Sequence, residues 1–343
     1  MFAKSIRYEY LATAIEIIAS ASIGFLLASI VLIILGYDPI EAYAVLFRSA
    51  LEDSHYVMAR ASFILLTGLA FSIPALAGLF NIGAEGQMYV GGFFALLATL
   101  YVPNPLVGIL AGILGGMAYS AIAGLLRSYR NVNEVISTIM LNWISYYVVM
   151  YLILTRFANP MIPHMSRPVP ESARLSDVGG VPVIFIISVA VAIIMYVVIY
   201  YTKIGYTIRA CGLNIKAAQY AGIDPKKPTV FSVLIGGGMA GLAGALNVIG
   251  FTYAIDVLLS SMHGMGFDGI GVALLGRNHP IGIIFSAIFF SALIVGSHGL
   301  QMEMGIIREL ADATIGIIIV ALAIPYAYRM LVNYFRIRRM RVE

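Results

Sequence analysis

Residues 81–87 place polar and charged groups between two apolar stretches of the sequence. They read Asn-Ile-Gly-Ala-Glu-Gly-Gln, and the apolar runs 61–80 and 88–101 flank them. Each bilayer crossing needs about 20 residues, so the Glu85 carboxylate and the two amides fall at or inside the membrane. An ionisable residue at that depth costs a few kcal/mol or more. A functional site is one interpretation, and a tight cytoplasmic turn with Glu85 in water is the other.

In the first interpretation, the carboxylate of Glu85 serves as a hydrogen-bond acceptor. Gly83 and Gly86 break helix geometry and leave backbone N–H groups without partners near membrane depth. Glu85 would accept from these amides, or from the N-terminus of a helix that begins near Gln87, where the helix dipole favours negative charge.

Further polar and aromatic residues in the apolar runs are candidates for lining a solute pathway. Amides both donate and accept hydrogen bonds, which suits a neutral, polyhydroxylated solute with an aromatic base, and an indole or phenyl ring would stack on that base. Two alternatives stay open: Asn142 also fits a hydrogen bond between helices, and Trp143 also fits lipid contact or core packing. The candidate lining residues are Phe80, Asn81, Glu85, Gln87, Asn142, Trp143 and Asp268.

The composition predicts an all-α polytopic membrane protein forming a single transmembrane domain over residues 1–343. The mean hydropathy is +0.93, and 11% of the residues are charged against about 25% in soluble domains. The single cysteine, Cys211, excludes an internal disulfide and a cysteine-based metal cluster. The sequence has no nucleotide-binding P-loop, no zinc-protease motif and no nucleophile elbow, so we expect no enzymatic activity, cofactor or metal.

The apolar runs predict about ten crossings, if the short run 265–276 is counted as one. Of the 21 Lys and Arg residues, fifteen fall inside and six outside when the N-terminus is placed in the cytoplasm. Because cytoplasmic loops carry the excess of Lys and Arg, both termini are predicted to be cytoplasmic. Loop 202–228 then lies in the cytoplasm, and loops 37–60 and 156–180 lie on the extracytoplasmic side of the membrane.

A faint internal similarity predicts an inverted repeat. Segments 79–97 and 275–293 each run from a Gly/Asn-rich break into an apolar helix of small residues, and an odd number of crossings separates them. Transporters with such repeats place their sites at paired broken or re-entrant helices.

The basic loop contains a spaced motif. Lys216-Ala217-Ala218 followed by Gly222 has the spacing of the Glu-Ala-Ala-x-x-x-Gly motif of ABC importer permeases. In those proteins a short cytoplasmic helix docks into the ATPase, small residues let it sit deep, and flanking cations such as Arg209 meet an acidic rim. Lys216 replaces the usual Glu of the motif. Taken alone, the basic loop also fits the positive-inside rule.

The resemblance extends over nearly the whole chain. Segments 81–87, 133–142, 205–222 and 269–276 resemble the permease subunits of bacterial and archaeal nucleoside and simple-sugar ABC importers, in the branched-chain amino acid, ribose and nucleoside permease superfamily. Segments 81–87 and 133–142 favour the longer nucleoside permease subunit.

The resemblance implies a type II ABC importer-like fold in the plasma (inner) membrane of a bacterium or archaeon. It also implies that the chain forms half of a translocation pathway. The implied partners are a second permease subunit, two cytoplasmic ATPases that bind ATP and Mg²⁺, and an extracytoplasmic substrate-binding lipoprotein. The alternative is an ion-coupled secondary transporter with Glu85 or Asp268 as proton carrier.

The predicted topology is testable by single-cysteine labelling in a chain that lacks Cys211. A cysteine at position 216 is expected to resist a membrane-impermeant reagent in intact cells, and one at position 170 is expected to react. The reverse pattern would overturn the orientation.

Overall fold

A computed structural model describes residues 20–257 and 264–322, and the described part of the chain is all-α, as predicted. It contains no β-strand, only isolated bridges in the 158–181 segment and at Asp256. The helices are α1 (Ser20–Ile34), α2 (Pro39–Glu52), α3 (Ser54–Leu76), α4 (Ala84–Tyr101), α5 (Pro105–Arg130), α6 (Glu134–Leu152), α7 (Val183–Tyr201), α8 (Lys203–Leu213), α9 (Ile215–Tyr220), α10 (Lys226–Asn247), α11 (Met265–Leu275), α12 (Pro280–Met304) and α13 (308–322).

Asparagine side chains start two of the long helices. Asn104 accepts a hydrogen bond from Leu106 N at 2.9 Å, and Pro105 occupies the first turn of α5, where its missing N–H costs nothing. Asn133 accepts from Val135 N at 2.9 Å and from Ile136 N at 3.3 Å. The Asn133 cap defines the end of the short 131–133 connection between α5 and α6.

Six described helices are long and apolar enough to cross a membrane, namely α3, α5, α6, α7, α10 and α12. The spans of α6 and α10 include the helical turns that follow them, 153–157 and 248–252. The pair α1 and α2, bent by 117°, would add a seventh if it is one broken span. Helix α11 is apolar but has only 11 residues. The count of ten crossings therefore stays a prediction, and parts of its first and last segments, 11–19 and 323–328, fall outside the described residues.

The connection expected over 37–60 is largely helical. Asp38 caps α2 by accepting from Ile40 N at 2.9 Å, and α3 begins at Ser54. The two segments of the predicted repeat each contain a break followed by a helix, α4 in one and α12 in the other. Arg277 and Asn278 adopt left-handed φ values of 54° and 55° in the second break. A symmetry between the two segments stays a prediction.

The described residues form two compact units, one that contains 20–57 with 290–322 and one that contains 58–257 with 264–289. In the second unit, glycines bring the backbones of α4, α5 and α10 into direct contact. A methyl group on Gly91 would overlap the backbone of Gly241, and one on Gly116 would overlap the Gly237 carbonyl. Because lipid gives helices little hydrophobic drive to associate, such close backbone packing holds membrane helices together.

Gly91→Ala is expected to destabilise the second unit by about 1–3 kcal/mol, since backbone atoms cannot move aside as side chains do. Gly316 on α13 has open space around it, so Gly316→Ala is the matched control and should be neutral. Thermal unfolding in detergent measures both. Equal unfolding midpoints for the two variants would contradict the proposed packing.

Candidate functional site

The segment 81–87 forms the entry into α4. Helix α3 ends at Leu76, and α4 begins at Ala84 with Gly83 as its N-cap, so the helix starts three residues earlier than expected from the sequence. The reason is local: Asn81 Oδ1 accepts from Gly83 N at 3.0 Å and closes a turn in front of the helix.

Gly86 lies inside the helix, so the expectation that it breaks the helix is wrong. A methyl group at Gly86 would come within 2.5 Å of Ser145 Oγ and 2.8 Å of Asn142 Cα. The glycine is therefore needed for close approach between α4 and α6.

Glu85 is buried, with 5% of its surface exposed, and it binds the start of α11. Its Oε1 accepts from Gly264 N at 2.7 Å, and its Oε2 accepts from Gly266 N at 2.5 Å. The expected role as an acceptor of backbone N–H bonds is present, but the donors belong to a helix 179 residues further along the chain. Gly264 has no side chain to cap α11, so Glu85 supplies both the cap and the negative charge that a helix N-terminus favours.

Asn142 fastens α6 to the same segment. Its Nδ2 donates to the Ile82 carbonyl at 2.9 Å, and its Oδ1 accepts from Gly86 N at 2.8 Å. This is the interhelical hydrogen bonding that the sequence left open as an alternative. Glu85 and Asn142 thus join α4, α6 and α11 through buried polar bonds on adjacent residues of α4.

Asn81 and Gln87 face each other. Both are 2% exposed, and their amides exchange hydrogen bonds of 3.4 Å and 3.3 Å. Asn81 also donates to the Ala70 carbonyl at 3.3 Å. These bonds hold the turn against the end of α3.

A small cavity of about 60 Å³ lies where α4, α6 and α11 meet. Two predicted residues besides Glu85 line it, and four further ones were not predicted. Tyr89 is four residues from Glu85, and Ile139 and Tyr146 are three and four residues from Asn142, a spacing that puts side chains on one helix face but does not by itself indicate a cavity. The lining consists of Glu85, Tyr89, Ile139, Asn142, Trp143, Tyr146 and Phe267.

Aromatic rings dominate the wall of the cavity. Tyr89 and Tyr146 pack edge to face with ring centroids 5.6 Å apart, and Trp143 stacks on Tyr147 at 6.2 Å. Trp143 is 56% exposed and Phe267 is 51% exposed, so this side of the cavity is open to the surroundings of the chain. The volume is well below the roughly 300–1,000 Å³ of ordinary ligand pockets.

Two predicted residues lie at the margin of this region. Phe80 is 44% exposed and packs edge to face on Phe71, with centroids 5.0 Å apart. Asp268, in the first turn of α11, forms an ion pair with Arg60 at 3.1 Å. Because Arg60 lies on α3, the ion pair joins α11 to that helix. Both side chains are largely shielded from solvent.

The predicted coupling loop consists of α8, α9 and the turn into α10. Lys216 and Ala217 are exposed and Ala218 is buried. Gly222 ends α9 with a φ of +82°, a left-handed conformation that favours glycine at a helix C-terminus. Arg209 lies over the Tyr200 ring at 4.8 Å from its centroid, so its guanidinium is engaged within the chain.

The Glu85 geometry predicts a graded loss of stability. Glu85→Ala leaves two buried N–H groups unpaired and should cost about 2–4 kcal/mol. The stability of Glu85→Gln should fall between those of the wild type and Glu85→Ala. The amide oxygen of the new side chain can accept one of the two hydrogen bonds, but its NH₂ group faces the second backbone donor. Thermal unfolding in detergent measures the series, with exposed Glu171 changed to Gln and Ala as the matched control. Wild-type stability of Glu85→Ala would contradict the capping role.

Comparison with known proteins places the chain in a family. The model of the branched-chain amino acid transport system permease component matches residues 55–323. The guanosine ABC transporter permease protein NupP of Bacillus subtilis is 32% identical over 91% of this chain and 93% of its own length. The nucleoside ABC transporter permease protein NupB of Lactococcus lactis is 33% identical over 88% of each chain.

A third relative carries a different solute in its name. The glucose ABC transporter permease protein TsgB13 of Haloferax volcanii is 29% identical over 90% of this chain and 85% of its own length. Relatives of this kind give no support to the alternative in which Glu85 or Asp268 carries a proton. The chain is an integral membrane protein and belongs to the family of branched-chain amino acid transport system permease components.

Proposed function

We propose that the chain forms half of the translocation pathway of an ABC importer for a nucleoside, with a simple sugar as the alternative solute. The observation that carries the proposal is the cavity at α4, α6 and α11, where aromatic rings surround one amide and one carboxylate. Aromatic faces suit a purine or pyrimidine base, and the polar groups suit ribose hydroxyls. The names of two relatives, guanosine and nucleoside permeases, support the same class.

The size of the cavity supports the proposal that this chain supplies one wall of a larger pathway. A volume of about 60 Å³ holds a few waters but no nucleoside. The half-exposed Trp143 and Phe267 would face the solute or a second permease subunit, and the pathway would be completed by that subunit or by an opening of the cavity.

The energy for transport would come from partner proteins. We expect two ATPase subunits to bind ATP and Mg²⁺ on the cytoplasmic side, so this chain would itself hold no cofactor. An extracytoplasmic lipoprotein would deliver the solute to the side of loop 156–180. Both termini and the α8–α9 region would be cytoplasmic, as the Lys and Arg distribution favours.

Uptake by the reconstituted transporter tests the solute class. With ATP, labelled guanosine, adenosine and uridine are expected to enter vesicles, and ribose and glucose are expected to enter poorly. Trp143→Ala should raise the half-saturating nucleoside concentration about tenfold, the value of one base stack, while Trp143→Phe should retain most affinity. ATP-driven uptake of glucose or ribose without nucleosides would favour the sugar alternative.

The ATPase contact is expected on the exposed face of α9. Lys216, Gln219 and Tyr220 border an open surface groove there, and Tyr220 is 95% exposed, so none of the described residues covers its ring. Tyr220→Ala should reduce co-purification of the ATPase and ATP-driven uptake without changing thermal stability.

The matched control is Tyr151→Ala, which removes a ring that is 65% exposed near the end of α6, towards loop 156–180. It should leave ATPase binding intact. Full ATPase binding by Tyr220→Ala, or an equal loss with Tyr151→Ala, would contradict the proposed contact.

A further inference from the structure

A second concave site lies between the first turns of α8 and α10, away from the cavity described above. It has a volume of about 390 Å³, and we refer to it as the α8–α10 groove. Two cations, Lys203 and Lys227, line it together with the apolar side chains of Ile204, Ile223 and Phe231. Ile204 is 46% exposed and Phe231 is 49% exposed. The groove therefore combines positive charge with accessible apolar surface.

The two lysines occupy positions that a helix ordinarily gives to acidic residues. Lys203 is the first residue of α8 and Lys227 is the second residue of α10, and neither helix has an acidic residue in its first turn. The N-terminal end of a helix already carries a partial positive charge, so cations there are unfavourable. Two such ends with two lysines make a concentrated positive field, which an anion in the groove would neutralise.

One acidic residue also lines the groove. Asp224 accepts from Lys226 N through its Oδ1 at 3.1 Å, so one oxygen of its carboxylate is bonded to the first turn of α10. Lys226 itself is directed elsewhere, because its Nζ lies 5.4 Å from the centroid of the Tyr129 ring. Neighbouring lysines of α10 thus separate into one that lines the groove and one that does not.

The position of the groove identifies the kind of anion. Helix α7 ends at Tyr201 and α10 begins at Lys226, and both are long enough to span the membrane. The groove therefore lies where two spans reach the membrane surface. We propose that it binds an anionic phospholipid, with the headgroup phosphate between Lys203 and Lys227 and the upper acyl chain against Ile204 and Phe231. Free phosphate would leave these apolar side chains uncovered.

Native mass spectrometry of the purified chain tests the proposal, with phosphatidylglycerol and phosphatidylcholine of identical acyl chains as probes. The wild type is expected to retain phosphatidylglycerol in preference to phosphatidylcholine. A lysine near the membrane surface contributes about a fivefold gain in affinity for anionic lipid. Lys203→Gln and Lys227→Gln should each weaken phosphatidylglycerol binding by about that factor, and the double variant by roughly 25-fold.

Two control variants distinguish lipid binding in the groove from a general attraction of anionic lipid to the basic surface. Lys226→Gln removes an adjacent charge that does not line the groove and should leave retention unchanged. Lys203→Arg combined with Lys227→Arg keeps both charges and should retain the lipid, which also guards against a folding defect in the Gln variants.

Three results would overturn the proposal. Equal losses with Lys226→Gln and Lys227→Gln would mean a diffuse surface charge. Equal retention of the two lipids by the wild type would exclude headgroup recognition. Unchanged retention in the double Gln variant would also overturn it; if that variant no longer co-purifies with an ATPase partner, the groove belongs to a protein contact instead.

Discussion

Backbone N–H groups buried inside a protein have no water to bind, and this constraint governs the region around α11. The helix starts at Met265 after a glycine that offers no capping side chain, so its first amides need an acceptor from another part of the chain. Glu85 provides two oxygens for two of them. A buried carboxylate is costly unless it is hydrogen-bonded. The bonds between Glu85 and the start of α11 therefore offset both the cost of burying the carboxylate and the cost of burying the amides.

The position of the cavity follows from this pairing. Because Glu85 is in the first turn of α4, its bonds fix the start of α11 against α4, and Asn142 fixes α6 against the residues on either side of Glu85. The aromatic residues that line the cavity are carried by these three helices. Helix α4 also packs on α5 and α10 by glycine backbone contacts, and Gly266 brings the start of α11 equally close to the backbone of Glu85.

The sequence identified what depends on local chemistry. Apolar run length predicted the long helices. The polar segment 81–87 was recognised because its residues are unusual at membrane depth. Asn142 was found for the same reason, although its two bonds to the backbone of that segment are a matter of packing.

Features that depend on contacts between distant parts of the chain could not be predicted from the local sequence. No spacing rule connects Glu85 with Gly264, since they are 179 residues apart, and the sequence around Glu85 indicates only local donors, the amides near its neighbouring glycines and at the start of the next helix. Tyr89, Tyr146 and Phe267 are ordinary core or lipid-facing residues by type, and only the meeting of three helices brings them to one cavity. Gly222 was interpreted as a small residue for docking, but its positive φ gives it a role in ending α9.

Hydrogen–deuterium exchange at the start of α11 tests the central claim most directly. In the wild type, the amides of Gly264 and Gly266 should exchange slowly because Glu85 accepts from both. In Glu85→Ala they should exchange much faster, about 30-fold for a loss of 2 kcal/mol, while the amides of α5 and α10 keep their wild-type protection. Unchanged protection at the start of α11 in Glu85→Ala would show that the carboxylate does not hold this helix, and the account of the site would be wrong.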